Sequence, residues 1–147
     1  MLTVRDILRG KGKQIWWISP GATVFDALEL MAEKNVGALV VLDGEKITGI
    51  FSERDYARKV ILKGKASKET AVEEIMTSEV ISVRPGQSVE ECMALMTDKR
   101  IRHLPVLERE KLVGLISIGD VVKAIISDKE FIIKQLEKYI MGGSALA

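Results

Sequence analysis

Cysteine, aromatic residues and any surplus of one charge are all scarce in this chain. A single cysteine, Cys92, stands among 147 residues, so no internal disulfide can form and the fold must rest on its core. Aromatics make up 5%, too few for a base-stacking platform. Lys and Arg number 22 against 21 Asp and Glu, a formal charge of +1, which leaves no basic footprint for nucleic acid or an acidic membrane. No apolar run approaches the length of about 20 residues that spans a bilayer, and no signal peptide opens the sequence. A cytoplasmic location is therefore expected, with neither nucleic acid nor membrane as partner. His103 is the only histidine, and one imidazole cannot make a zinc site by itself. No Gly-x-Ser-x-Gly elbow, P-loop or Gly-x-Gly-x-x-Gly fingerprint is present, and no converging pair of carboxylates suggests acid/base work. The expectation is a protein that is not an enzyme, with no catalytic residue, no catalytic cofactor and no metal.

What is present is a duplication. Apolar residues form 47% of the chain and charged ones 29%, the balance of a globular protein. Pro20-Gly21 returns as Pro85-Gly86, Leu30-Met31 as Leu95-Met96, Val41-Leu42 as Val106-Leu107, and Gly49, Ser52 and Asp55 as Gly114, Ser117 and Asp120, each pair 65 positions apart. Within the first copy, Trp16 to Ile18 has strand character. Val24, Ala27, Leu28 and Met31 recur at helical spacing, and Ala38 to Leu42 reads as a strand covered on both sides. Asp43-Gly44 turns the chain into a partner strand ending at Phe51, and a helix follows Ser52. The unit is β-α-β-β-α, an α/β (α+β) class, and one unit is too small to bury both sides of its sheet, so the two should pack together. Residues 1–66 form the first unit with a short N-terminal helix, 67–128 the second, and 129–147 a C-terminal helix and tail. That helix carries an apolar stripe through Phe131, Leu136 and Ile140, and is expected to end at Gly142-Gly143 before a disordered tail.

The repeated Gly-x-x-Ser-x-x-Asp stretch ends a strand and opens a helix. Such a junction offers an anion the positive end of a helix dipole and unpaired N–H groups, and the aspartate can accept hydrogen bonds from ribose hydroxyls. Ser-x-x-Asp is also the pattern of a capping box, which only satisfies the helix start. Both readings stand. Cys92 falls at helical spacing among Val89, Met93 and Met96 and reads as apolar filler.

These elements resemble a tandem pair of CBS (cystathionine-beta-synthase) domains, a Bateman module, over Val4 to about Ile126. Val36-Gly37-Ala38-Leu39-Val40-Val41 and Ile101-Arg102-His103-Leu104-Pro105-Val106 carry the resemblance beside the Ser-x-x-Asp stretches. It implies two units about a pseudo-twofold axis, two interdomain clefts, a flat homodimer, and a regulatory role toward a separate, unknown protein partner. The implied ligand is AMP or a related adenine nucleotide, with ADP, ATP, NAD(H) or S-adenosylmethionine as other possibilities. In one cleft the resemblance puts adenine against Ala22, Ala27 and Val36, ribose on Asp120, and phosphate near Ser117, Gly119, Arg102 and His103, with Ile118 beside it. In the other it puts the base among Gln87, Cys92 and Ile101, ribose on Asp55, and phosphate near Ser52 and Arg54, with Gly37 and Ala38 opening the space. Arg102 and His103 make the Asp120 cleft the better mononucleotide site. The other possibility is a docking or oligomerisation module whose clefts hold no ligand.

Overall fold

The computed structural model describes residues 1–12 and 14–146, without the side chains of 142–146. Helix α1 (Val4–Lys11) leads to strand β1 (Trp17–Ile18), helix α2 (Val24–Lys34), and the antiparallel pair β2 (Ala38–Asp43) and β3 (Lys46–Ser52). A short α3 (Glu53–Asp55) runs into a π-helical segment, Tyr56–Ile61. The second half repeats this as α4 (Val72–Ile75), α5 (Val89–Lys99), β4 (His103–Glu108), β5 (Lys111–Ser117) and α6 (Ile118–Leu146). The fold is the mixed α+β arrangement expected from the repeat, with α2 and α5 capped alike. Thr23 Oγ1 accepts from the Asp26 N–H at 3.1 Å, and Ser88 Oγ accepts from the Glu91 N–H at 3.1 Å.

The halves differ at their first strand. In the first, β1 pairs parallel to β2 and the Val40 N–H donates to the Trp16 carbonyl at 3.4 Å. In the second, Pro105 stands where Val40 does and has no N–H to give. Only a single parallel bridge, Val83 to Val106, survives, and the sheet has two strands instead of three. The C-terminal region also departs from expectation. Rather than a separate helix from 129, α6 continues without a break from Ile118 to Leu146, so Gly142-Gly143 does not end it. Ala147 lies outside the described residues. An isolated glycine pair weakens a helix but does not force a stop where no proline follows.

Each sheet is closed by a helix that sequence order assigns to the other half. Val4 and Ile7 of α1 are buried with Leu104, Val106 and Ile116 of the second sheet. Val72 and Ile75 of α4 are buried with Leu39, Val41 and Phe51 of the first. Backbone bonds fasten both crossings. Val4 N–H donates to the Gln87 carbonyl and Val89 N–H to the Leu2 carbonyl, at 2.9 and 3.0 Å. Val24 N–H donates to Thr70 and Val72 N–H to Ala22, both at 2.8 Å.

The crossings explain the repeated glycines. A Cβ on Gly49 would lie 2.8 Å from the Thr77 carbonyl oxygen and 2.6 Å from Met76 Sδ, whereas one on Gly114 would meet the Leu8 side-chain tip at 2.5 Å. The Leu8 tip can rotate away, but the Thr77 carbonyl accepts from the Ile50 N–H while the Thr77 N–H donates back to the Ile50 carbonyl, both at 2.9 Å, which fixes that backbone. Gly49→Ala should therefore cost about 2–3 kcal/mol in urea unfolding and Gly114→Ala about 1 kcal/mol. The opposite order would mean that β3 does not depend on this close approach.

Candidate functional site

Both Ser-x-x-Asp stretches fold as capping boxes. Asp55 Oδ2 accepts from the Ser52 N–H at 3.0 Å, and Ser52 Oγ accepts from the Asp55 N–H at 3.3 Å. Asp120 Oδ2 accepts from the Ser117 N–H at 2.8 Å, and Ser117 Oγ accepts from the Asp120 N–H at 3.1 Å. The capping does not exclude a binding role, because each box stands at the mouth of a cleft between the halves.

One cleft, about 360 Å³, is lined by Gln14, Ile15, Trp16, Asn35, Val36, Gly37 and Ala38 of the first half. Leu115, Ser117 and Asp120 of the second half face them, with Lys11 and His103. The other, about 190 Å³, repeats the plan with the halves exchanged. Val80, Ile81, Ile101, Arg102 and His103 face Ile50, Ser52, Glu53, Arg54 and Asp55, with Thr77 and Glu79. Gly37 and His103 border both. An ideal Cβ at Gly37 would lie 2.8 Å from Glu53 Oε1 and 3.9 Å from His103 Cε1, so the missing side chain leaves room there for the Glu53 carboxylate.

The two aspartates differ in availability. Asp55 is buried, and its Oδ1 holds Thr77 Oγ1 and Lys59 Nζ, each at 3.0 Å. Asp120 is partly exposed, and both of its outside contacts fall on Oδ2, where Lys11 Nζ lies at 2.7 Å. Its Oδ1 has no hydrogen bond among the described residues. Burial raises the Asp120 pKa, but the Lys11 hydrogen bond and the Ser117 N–H outweigh it, so the carboxylate titrates below the usual range. His103 is shifted down, first by burial and then by the Lys11 and Arg102 charges, with Asp120 opposing.

Several residues implied by the family resemblance lie elsewhere. Ala27 and Cys92 are fully buried in the two cores, facing away from the clefts, and burial pushes the Cys92 thiol up to about 11. Gln87 shapes a turn, accepting from the Arg84 N–H at 2.8 Å and donating to Glu91 at 3.1 Å. Ala22 lines neither cleft; its backbone fastens the α4 crossing. Gly119 is exposed, and Ile118 borders a smaller hollow with Arg54 and Arg102. Arg102 lines the Asp55 cleft rather than the Asp120 cleft. The cation beside Asp120 is Lys11, brought by α1 from 109 positions away. No spacing within either repeat could have announced it.

Because His103 is held below its ordinary value of 6.5, the folded state resists its protonation. Its contribution to stability is complete above about pH 6.5 and is lost as pH falls through the lowered value. His103→Gln should flatten the decline in unfolding free energy between pH 7 and pH 5, followed by urea titration at each pH. An unchanged slope would place the acid sensitivity elsewhere.

The chain matches the CBS domain model twice, over residues 4–62 and 72–127. A Burkholderia ambifaria protein with CBS domains is 56% identical over 86% of this chain and 95% of its own, with a TM-score of 0.83. The Arabidopsis thaliana CBS domain-containing protein CBSX3, described as mitochondrial, is 43% identical over 96% of this chain and 73% of its own length. A hexameric CBS-CP12 protein from bloom-forming cyanobacteria is 34% identical, covers 82% of this chain and 70% of its own, and has a TM-score of 0.74. Among the described residues no helix is long and apolar enough to cross a membrane.

Proposed function

The chain belongs to the CBS domain family as a tandem pair, and from that membership we propose that it is a non-catalytic sensor binding an adenine nucleotide in the Asp120 cleft. Tandem CBS proteins are in general regulatory, ligand-binding modules. The observation that carries the finer reading is the free Oδ1 of Asp120, which faces no competing donor among the described residues and suits a ribose hydroxyl. Trp16, Val36 and Ala38 supply an apolar wall for a base, and Lys11 can turn from the carboxylate toward a phosphate. The Asp55 cleft is the poorer nucleotide site on two counts. Its aspartate is already committed to Lys59 and Thr77, and Glu53 and Glu79 offset Arg54 and Arg102.

Occupancy would act on a partner protein by favouring one packing of the two halves, since a ligand shifts a structure only by its differential affinity for the alternatives. AMP, ADP, ATP and NAD(H) share the adenosine that this cleft addresses; S-adenosylmethionine shares it without a phosphate for Lys11.

Dye-monitored melting with each compound tests the reading. A ligand at a hundred times its Kd adds about 2.7 kcal/mol of stability. Asp120→Ala should weaken titrated AMP binding by roughly 10–100-fold, the worth of a charge-assisted hydrogen bond. Asp55→Ala should leave that affinity within a few-fold while lowering stability by about 2–3 kcal/mol through loss of its cap and its Thr77 and Lys59 contacts. If none of the five compounds raises the melting temperature, the chain is a docking or oligomerisation module instead.

A further inference from the structure

Past Asp128, helix α6 leaves the body of the molecule. Its inner turns lie against α1, α5 and β5, and Val121 is fully buried there. Every residue from Phe131 to Met141 is exposed. A projecting helix of this length is marginal in water by itself and gains its stability from packing an apolar face. That face exists. Val122, Ile126, Lys129, Ile133, Leu136 and Ile140 follow one another at alternating spacings of four and three, which is a heptad seam. Ile126, Ile133 and Ile140 occupy one core position, and Val122 and Leu136 the other. All five are between 40% and 64% exposed, although they are apolar. Ile132 and Tyr139 widen the stripe along one side.

We propose that α6 is an interface between two copies of this chain, packed antiparallel along this seam. Direction follows from the charges. A parallel pair would set Lys129 against Lys129 of the second copy inside the seam, where like charges repel. An antiparallel pair sets Lys129 against Ile133, Ile126 against Leu136 and Val122 against Ile140. It also brings Lys123 of each copy alongside Glu137 of the other, giving two ion pairs by symmetry. Glu130 then approaches its own copy at the dyad, with the two Lys129 ammonium groups close by. The seam from Val122 to Ile140 is about 28 Å long. Over that length a stripe three residues wide is of the order of the ~800 Å² per partner that stable interfaces bury. An acidic membrane is a poor occupant, since Asp128, Glu130 and Glu137 balance Lys129, Lys134 and Lys138.

Sedimentation equilibrium on the full chain tests the pairing. The wild-type protein should be dimeric at micromolar concentration, and Leu136→Glu should be monomeric with an unchanged circular dichroism spectrum, since Leu136 contributes nothing to either core. Glu137→Lys alone should weaken the dimer by about tenfold by opposing Lys123, and the double variant K123E/E137K should restore it. Rescue by the double exchange is specific to the antiparallel register, because these residues lie two heptads apart in a parallel pair. Wild-type protein that stays monomeric at about 100 µM, or a dimer indifferent to Leu136→Glu, would overturn the proposal. So would wild-type monomers that sediment with liposomes. Failure of the double exchange to restore what Glu137→Lys removes would overturn the antiparallel arrangement.

Discussion

Packing of α1 and α4 across the molecule is the constraint on which the rest depends. A two- or three-stranded sheet with one long helix leaves a face uncovered, and neither half holds in its own repeat the residues to close it. Val4 and Ile7 cover the second sheet, Val72 and Ile75 the first. The glycines at 49 and 114 admit the crossing segments, and the paired backbone bonds at Val4 and Val89, and at Val24 and Val72, hold them in register. Because the halves are interlocked in this way, both contribute walls to the spaces between them.

The same crossing makes the two clefts unequal. α1 ends at Lys11, whose ammonium reaches the Leu115 carbonyl and the Asp120 carboxylate, both at 2.7 Å. On the other side, the chain leaving α4 brings Thr77 onto Asp55 and Glu79 into the cleft. One aspartate, partly exposed, thus meets a single lysine across the molecule, and the other, itself buried, is held by both Thr77 and Lys59. The two halves of the duplication therefore differ, one carrying an accessible carboxylate and the other a structural one.

Much of this was legible in the sequence, and the remainder was hidden for identifiable reasons. The 65-residue spacing located β2 and β3 against β4 and β5, and Ser-x-x-Asp located both helix starts, because those features are local. Pro105 carried the shortening of the second unit's first strand in plain view, since it lacks the N–H that Val40 gives to Trp16 in the first half. Lys11 could not be read, because its partner is 109 positions away and belongs to the other repeat. The resemblance puts Arg102 beside Asp120, whereas it lines the Asp55 cleft. Adjacency to His103 says nothing about which side of the strand a long side chain takes, and His103 itself borders both clefts. The π-helical segment after Asp55 has no counterpart in the unbroken α6, and nothing in its residue types announces it.

The interlocking also bears on how the molecule is made. Val4 and Ile7 leave the ribosome well before Val121, which belongs to the same core. During synthesis of the intervening chain an amphipathic helix must wait with its apolar face wet, while the first sheet lacks α4 until residue 75 has followed. Neither half can therefore mature as a separate cotranslational unit, and a nascent chain halted midway would present unsatisfied apolar surface to chaperones.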